Sequence, residues 1–237
     1  MRVAKAVNAF IGRGGEAILS TGRPLAGVQE LSRLIAFDGY VSQDGAYVTL
    51  DGKTILDRSF PPEVLARMVS EMLRVGMTAL FEGTEGQVAI SRTRSDYYGL
   101  PAVSSLDAMR AHSPGLHFGK IDFEQESYEA YRSSNYLVEN FTYYDVGDGY
   151  HELAMPGVNK GAGAMVLLDE MARQKGRGPN CIYAFGDSDN DLSLLEIADV
   201  AVAMGQAPER VRAAADFVTL PSAEDGVAYG LEHLGLI

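Results

Sequence analysis

The stretch Cys181-Ile182-Tyr183-Ala184-Phe185-Gly186-Asp187-Ser188-Asp189-Asn190-Asp191-Leu192 decides how the chain is read. Cys181 to Phe185 is a short apolar run, as expected of a parallel strand buried on both faces, and it ends on a glycine and a cluster of carboxylates. Acidic residues at the carboxyl end of such a strand sit where open α/β sheets bind ligands. They repel one another unless a cation holds them, and hard oxygen ligands suit Mg²⁺. An acidic loop that caps the following helix is the plainer alternative, with Asp191 near the helix N-terminus. A calcium-binding EF-hand loop fails, because Leu192 stands where its turn glycine is needed and Ala198 where its bidentate glutamate belongs.

The pattern around this stretch is the same at both ends of the chain. Downstream, a helix over Leu192 to Ala198 and strands over Val200 to Met204 and Phe217 to Leu220 follow; upstream, a helix runs from about Gly161 to Arg173. Near the N-terminus, Val3, Val7, Phe10 and Ile11 line one face of a helix that ends at Gly12, Gly14 and Gly15. A buried strand follows over Ala17 to Thr21, then a helix over Ala26 to Arg33 and short strands over Leu34 to Phe37 and Ala46 to Leu50. Pro61-Pro62 opens an amphipathic helix carrying Val64, Leu65, Met68, Met72 and Leu73, with Gly76 at its end. Between Met77 and Tyr150 the texture changes: tyrosines accumulate, and Gln87 to Ile90 and Tyr136 to Val138 read as strands. The expectation is an α/β fold, a doubly wound parallel sheet built from residues 1–50 and 152–237, with an inserted α+β domain over 51–151.

Of the 237 residues, 20 are Lys or Arg and 32 Asp or Glu, for a net charge of -12, which disfavours nucleic acid and anionic membranes as partners. A phosphorylated ligand must therefore meet a local cation or a bound metal. Cys181 is the single cysteine, so no disulfide framework forms, and its apolar flank marks it as a core residue. Met1 to Phe10 supply no signal-peptide core and no stretch is long enough to span a bilayer, which makes the cytoplasm the expected location.

Two further sites point toward the same sheet edge. Thr21 closes its strand, and its hydroxyl with the following backbone N–H can bond a phosphoryl oxygen, although Thr-Gly-Arg-Pro also reads as a simple turn. Lys160 precedes a helix with small residues close behind it and can neutralise a transferring phosphoryl group, although most lysines are merely solvated. His112, His117, His151 and His233 show no metal-ligand spacing; His112 and His117 fall in the inserted region, where contact with substrate competes with a surface role.

In order, Ser20-Thr21-Gly22-Arg23-Pro24, Gln43-Asp44-Gly45-Ala46, Pro156-Gly157-Val158-Asn159-Lys160-Gly161, Gly186-Asp187-Ser188-Asp189-Asn190-Asp191 and Val202-Ala203-Met204-Gly205 resemble the haloacid dehalogenase superfamily in its Cof-like phosphatase branch. The resemblance implies an HAD-like core with an α+β cap and Mg²⁺-dependent hydrolysis of small phosphorylated metabolites such as sugar phosphates. It makes Thr21 the phosphate-binding hydroxyl and Lys160 the neutralising lysine. Gly22, Arg23, Asp44, Gly45 and Asn190 would lie close to substrate, Asp187 would ligate the metal and Asp191 would support it.

Two departures stand out. The family usually has Asn-Gly-Ala where this chain has Asp44-Gly45-Ala46, and its first motif, Asp-x-Asp-Gly-Thr, is absent. That motif supplies the nucleophilic aspartate and the general acid/base. Asp38-Gly39 imitates it but follows Thr21 where the family's motif precedes it. The expectation is that the chain begins inside the first helix of a complete enzyme. Without that motif it is a phosphatase lacking its nucleophile-bearing strand or, alternatively, an inactive relative that binds metal or a phosphorylated metabolite. A missing central strand would leave two half-sheets with unpaired edges, which strand exchange between copies could fill.

Overall fold

A computed structural model of the chain describes residues 2–84 and 86–237, so the expected spans 1–50 and 51–151 each lack one residue, Met1 and Glu85. Helix α1 (Arg2–Gly12) leads into β1 (Ile18–Ser20). A 3₁₀ turn at Leu25–Val28 and the single turn α2 (Gln29–Ser32) stand where one helix was expected. The N-terminal sheet has the order β1-β2-β3-β4, with β2 (Gly39–Ser42), β3 (Tyr47–Leu50) and β4 (Lys53–Asp57). β1 and β2 are parallel; β2, β3 and β4 are antiparallel neighbours. Leu34 to Phe37 is not a strand. Leu34 is 54% exposed, and the chain is held instead by Asp38, whose carboxylate accepts the Ala17 N–H at 2.8 Å.

The large sheet has the order β10-β11-β9-β5-β6-β8-β7. Its helices and strands alternate along the chain as α3 (Pro62–Val75), β5 (Ala79–Gly83), β6 (Gly86–Ile90), β7 (Asp96–Tyr97), β8 (Leu100–Val103), α4 (Leu106–His112) and β9 (Phe118–Glu124). They continue as α5 (Tyr128–Arg132), α6 (Asn135–Asn140), β10 (Thr142–Gly147) and β11 (Tyr150–Ala154). α3 starts on its proline and stops at Gly76 in the left-handed conformation, as its sequence predicts. Tyr136 to Val138 lies in α6 rather than in a strand, because the Ser134 hydroxyl caps a helix there by accepting the Leu137 N–H at 3.3 Å. Period-two alternation divides this sheet. Phe81, Ile121, Phe123 and Leu153 face an apolar core shared with Leu65, Met68 and Met72 of α3, while Glu82, Lys120, Asp122 and Glu152 occupy the other face.

Helix α7 (Lys160–Lys175) leads to the C-terminal sheet of parallel strands β12 (Tyr183–Gly186), β13 (Val200–Ala203) and β14 (Phe217–Val218), in that order. The connections carry α8 (Leu192–Leu195) and α9 (Glu209–Arg212), and α10 (Gly226–His233) closes the chain against α1. Cys181 precedes β12 and is exposed, contrary to its expected core placement, because the strand starts two residues after it.

β4 carries the N-terminal sheet to Asp57 and β11 carries the large sheet to Ala154, so the sheets themselves change over beyond residues 50 and 151. β1 and β12 are both edge strands. Among the described residues no helix is long and apolar enough to cross a membrane.

Candidate active site

Three loops and one helix N-terminus converge at the carboxyl ends of β1, β2 and β12. Parallel pairing aligns the first two: the Thr21 N–H donates to Val41 O at 2.8 Å, and the Asp44 N–H donates to Thr21 O at 3.3 Å. The turn between β2 and β3 holds Gln43, Asp44 and Gly45 at φ of 50°, 53° and 95°, the left-handed region that costs a residue with a Cβ. Only glycine fits at position 45, since a Cβ there would lie 2.1 Å from Asn159 O. This close approach seats the start of α7 beside Asp44. Asn159 caps the helix by accepting the Ala162 N–H at 2.8 Å, and Lys160 follows it into the site.

Lys160 is 6% exposed, which overturns the solvated-lysine alternative. Its ammonium donates to Asp191 Oδ1 at 2.6 Å and Asn190 Oδ1 at 2.8 Å, and stands 3.8 Å from Asp44 Oδ1. Burial pulls its pKa down, but Asp191, Asp44 and Glu152 outweigh that and raise it, so the amine is charged. Asp191 behaves in the complementary way. Burial raises its pKa, yet Lys160 and the N–H donors of Asp187 and Ser188 bring it below the ordinary carboxylate value. Its Oδ2 accepts from those two N–H groups at 2.8 and 3.1 Å, closing a capping box with Ser188. The helix-capping role expected of this loop is thus carried by Ser188 and by Asp191 Oδ2, while Asp191 Oδ1 faces Lys160.

Asp187 is exposed at the tip of β12 and accepts one hydrogen bond, from Gln206 Nε2 at 2.9 Å. Asp189 pairs with Arg210. Among the described residues no group of three or more His, Cys, Asp or Glu is arranged to hold a metal ion. The donor chemistry fits Mg²⁺ through Asp187, because this cation keeps most of its waters and takes one or two carboxylates plus substrate phosphate. Asp191 has both oxygens engaged, by Lys160 and by the Asp187 and Ser188 N–H groups, and offers none to a cation.

Thr21 is half-buried and its hydroxyl oxygen accepts the Arg23 N–H at 3.1 Å, leaving its own proton to donate; the Arg23 side chain is exposed. Gly22 faces Asp44, with a Cβ at 22 falling 3.2 Å from either carboxylate oxygen. The Asp44 carboxyl is 1% exposed and accepts Asn190 Nδ2 at 3.1 Å. Burial first, and then neighbouring Glu152, push its pKa up to about 6 against the pull of Lys120 and Lys160.

The large sheet supplies a group that the sequence reading missed. Lys120 of β9 is 5% exposed and reaches Glu152 at 2.8 Å, Asp122 at 2.9 Å and Asp44 at 3.6 Å. Burial opposes its charge, but Asp122, Asp44, Glu152 and Glu82 hold its pKa well above the ordinary value. Asp122 is itself pushed up to about 7, chiefly by burial. Asn190 ties both halves, since its Nδ2 also donates to Glu152 at 3.1 Å. The signal was present in Lys120-Ile121-Asp122-Phe123, where charged and apolar residues alternate along one strand. The histidines lie elsewhere: His117 pairs with Asp57 at 3.3 Å, and His112 Nδ1 contacts its own helix at Ala108 O, 3.0 Å away.

A cavity of about 370 Å³ opens beside this cluster, lined by Tyr144, Asn159, Asp189, Leu192, Ser193, Glu196 and Arg210. A larger one, about 550 Å³, is lined by Ser70, Leu73, Arg74, Arg92 and Ser104 and includes none of the site residues.

The strand ends thus hold a buried lysine fixed by an acidic loop, with Asp44 between it and the threonine turn. Residues 2–231 match the haloacid dehalogenase-like hydrolase family. The chain belongs to that family. It is 26% identical over 237 residues to a phosphatase-named protein of Bacillus subtilis (strain 168), covering 95% of this chain and 86% of that one. It is 28% identical over 242 residues to a Streptococcus pyogenes protein named as a bifunctional phosphatase and peptidyl-prolyl cis-trans isomerase. The chain spans 49% of the length of that relative. Among solved structures, an HAD subclass IIB sugar phosphatase superposes with a TM-score of 0.77 at 26% identity, over 100% of this chain and 92% of that one. A Bacteroides thetaiotaomicron HAD phosphatase, at TM-score 0.82 and 22% identity over 100% and 88% of the two chains, shows the same fold. This HAD member thus shares its family with phosphatase-named proteins and its fold with an HAD subclass IIB sugar phosphatase.

Proposed function

We propose that the chain binds the phosphoryl group of a small phosphorylated metabolite between Thr21, the Gly22 N–H and Lys160, with residues 1–50 and 152–237 acting as the core and 51–151 as a cap over it. The observation that carries this reading is the buried, charged Lys160, held by Asp191 and Asn190 at the strand ends where Thr21 also lies. A dianionic ester entering there meets a fixed ammonium and a hydroxyl donor, which need no reorganisation as charge shifts during transfer. Asn190 and Gly45 shape the floor, Arg23 the exposed lip. Mg²⁺ on Asp187 supplies counter-charge to the phosphoryl oxygens when bound.

Most carboxylate oxygens near this position are engaged: Asp44 Oδ1 by Asn190, Asp191 by Lys160 and two N–H groups, Glu152 by Lys120 and Asn190, while Asp44 Oδ2 accepts no hydrogen bond from the described residues. With no Asp-x-Asp-Gly-Thr in the sequence, this favours a second reading in which the chain binds its ligand without turning it over. Nucleophile and acid/base would come from a strand beside β1 and β12, each of which stands at an edge of its sheet; a second copy of the chain could pair with these edges but brings no Asp-x-Asp-Gly-Thr of its own.

The test is Mg²⁺-dependent phosphate release from a panel of sugar phosphates, by this chain and by one extended upstream with an Asp-x-Asp-Gly-Thr strand. Release by the extended chain alone supports the phosphatase reading. Silence in both supports the binding reading, and release by the unextended chain that Asp187→Ala abolishes would show that another residue attacks phosphorus.

A further inference from the structure

We propose that Lys120 is a substrate-contacting residue, a second ammonium that the large sheet brings to the phosphate position so that Lys120 and Lys160 bracket the bound group. The inference rests on the phosphate site just proposed and adds a residue from the other half of the molecule.

Both lysines face one carboxylate. Lys160 Nζ is 3.8 Å from Asp44 Oδ1, and Lys120 Nζ is 3.6 Å from Asp44 Oδ2. Two ammonium groups therefore stand on either side of a small planar anion. Asp44 Oδ2 is buried and accepts no hydrogen bond from the described residues, so Lys120 is near it without being saturated by it. Charge balance within the large sheet needs Lys120 to reach only Asp122 and Glu152, its neighbours at 2.9 and 2.8 Å. The side chain goes farther, to the Thr21-Gly22 turn. An ideal Cβ on Gly22 would lie 2.9 Å from Lys120 Nζ, so the ammonium rests close against the backbone of this turn. A phosphoryl group on the Gly22 N–H then has this ammonium within reach. Two cations on one dianion form charge-assisted hydrogen bonds in a water-poor site, where each is strong. Lys120 lies on the polar face of β9, while Ile121 and Phe123 beside it are fixed in the apolar core, so the strand holds the lysine in register over the turn.

Calorimetric titration with inorganic phosphate in Mg²⁺ buffer tests this. Lys120→Met is expected to weaken phosphate binding at least about tenfold, as loss of a charged hydrogen bond does. Because that variant also strands Asp122 and Glu152, the double variant Lys120→Met/Asp122→Asn is measured alongside it. It should recover stability toward urea while phosphate binding stays weak, which a purely structural lysine would not produce. Wild-type affinity in either variant overturns the role of Lys120, provided Lys160→Met has lost binding. If the unaltered chain binds no phosphate, or Lys160→Met binds it normally, the underlying phosphate site is wrong and the inference falls with it.

Discussion

Replacing Asp44 with Asn should stabilise the protein at neutral and alkaline pH and do much less in acid. The carboxyl is 1% exposed, and its pKa rises from 3.8 to about 6. A folded-state value above the unfolded one means that the contribution of this group to stability is complete below pH 3.8 and is lost as pH rises through about 6. The shift of roughly two units corresponds to ~3 kcal/mol at pH 8 and about 1 kcal/mol at pH 4.5. The attraction of Lys120 and Lys160 is already contained in that shift. Asn keeps the oxygen that accepts from Asn190, and it tolerates the left-handed backbone at φ 53°. Urea unfolding at the two pH values reads the difference. A gain of ~3 kcal/mol at pH 8 that shrinks to about 1 kcal/mol at pH 4.5 is expected; no gain at pH 8, or one independent of pH, would refute the account of Asp44 as a buried carboxyl ionised at a cost.

Other residues give sharper losses. Lys160→Met leaves Asp191 Oδ1 without its donor and takes one of two from Asn190 Oδ1, and should cost about 3–5 kcal/mol in urea unfolding, as breaking a buried ion pair does. Gly45→Ala should lower stability by more than about 1 kcal/mol, measured by thermal unfolding, because its φ of 95° and the Asn159 carbonyl leave no place for a Cβ. Asp187 is exposed and its side chain is bonded only to Gln206, so Asp187→Asn should leave the unfolding temperature unchanged, while phosphate titrations of this variant with and without Mg²⁺ should give the same affinity where the unaltered chain binds more tightly with Mg²⁺. Light scattering on a size-exclusion column should show association that rises with concentration if β1 and β12 take up a strand from another copy; a strict monomer at all concentrations would rule that out.

Strongly local patterns were legible in the sequence. The Pro61-Pro62 helix with its stop at Gly76, the strand Gln87 to Ile90 and the strand before Asp187 are fixed by their own residues, and the structure has all three. Leu34 to Phe37 and Tyr136 to Val138 were misread because a four- or three-residue apolar run carries too little periodicity; Asp38 in one case and Ser134 in the other decide the outcome by a single hydrogen bond. Cys181 looked buried by composition alone, which does not say where a strand starts. Thr21, Lys160 and the Asp187 to Asp191 loop were singled out because each closes or opens an element, and Asp44 through the family resemblance alone; the structure brings Thr21, Asp44, Lys160 and Asp191 close together. Lys120 was not singled out, since its contacts to Asp44 and Gly22 join residues far apart in sequence, and only the packing of the large sheet against the strand ends brings them together.

The most direct test of the central claim is a crystal of this chain soaked with Mg²⁺ and tungstate, an oxyanion of phosphate-like charge and shape that is easily located by its scattering. The account predicts the oxyanion on the Thr21 hydroxyl and Gly22 N–H, within hydrogen-bond reach of Lys160 Nζ. An oxyanion bound instead at Arg210 beside the Tyr144 cavity, with the Thr21 turn empty, would contradict it.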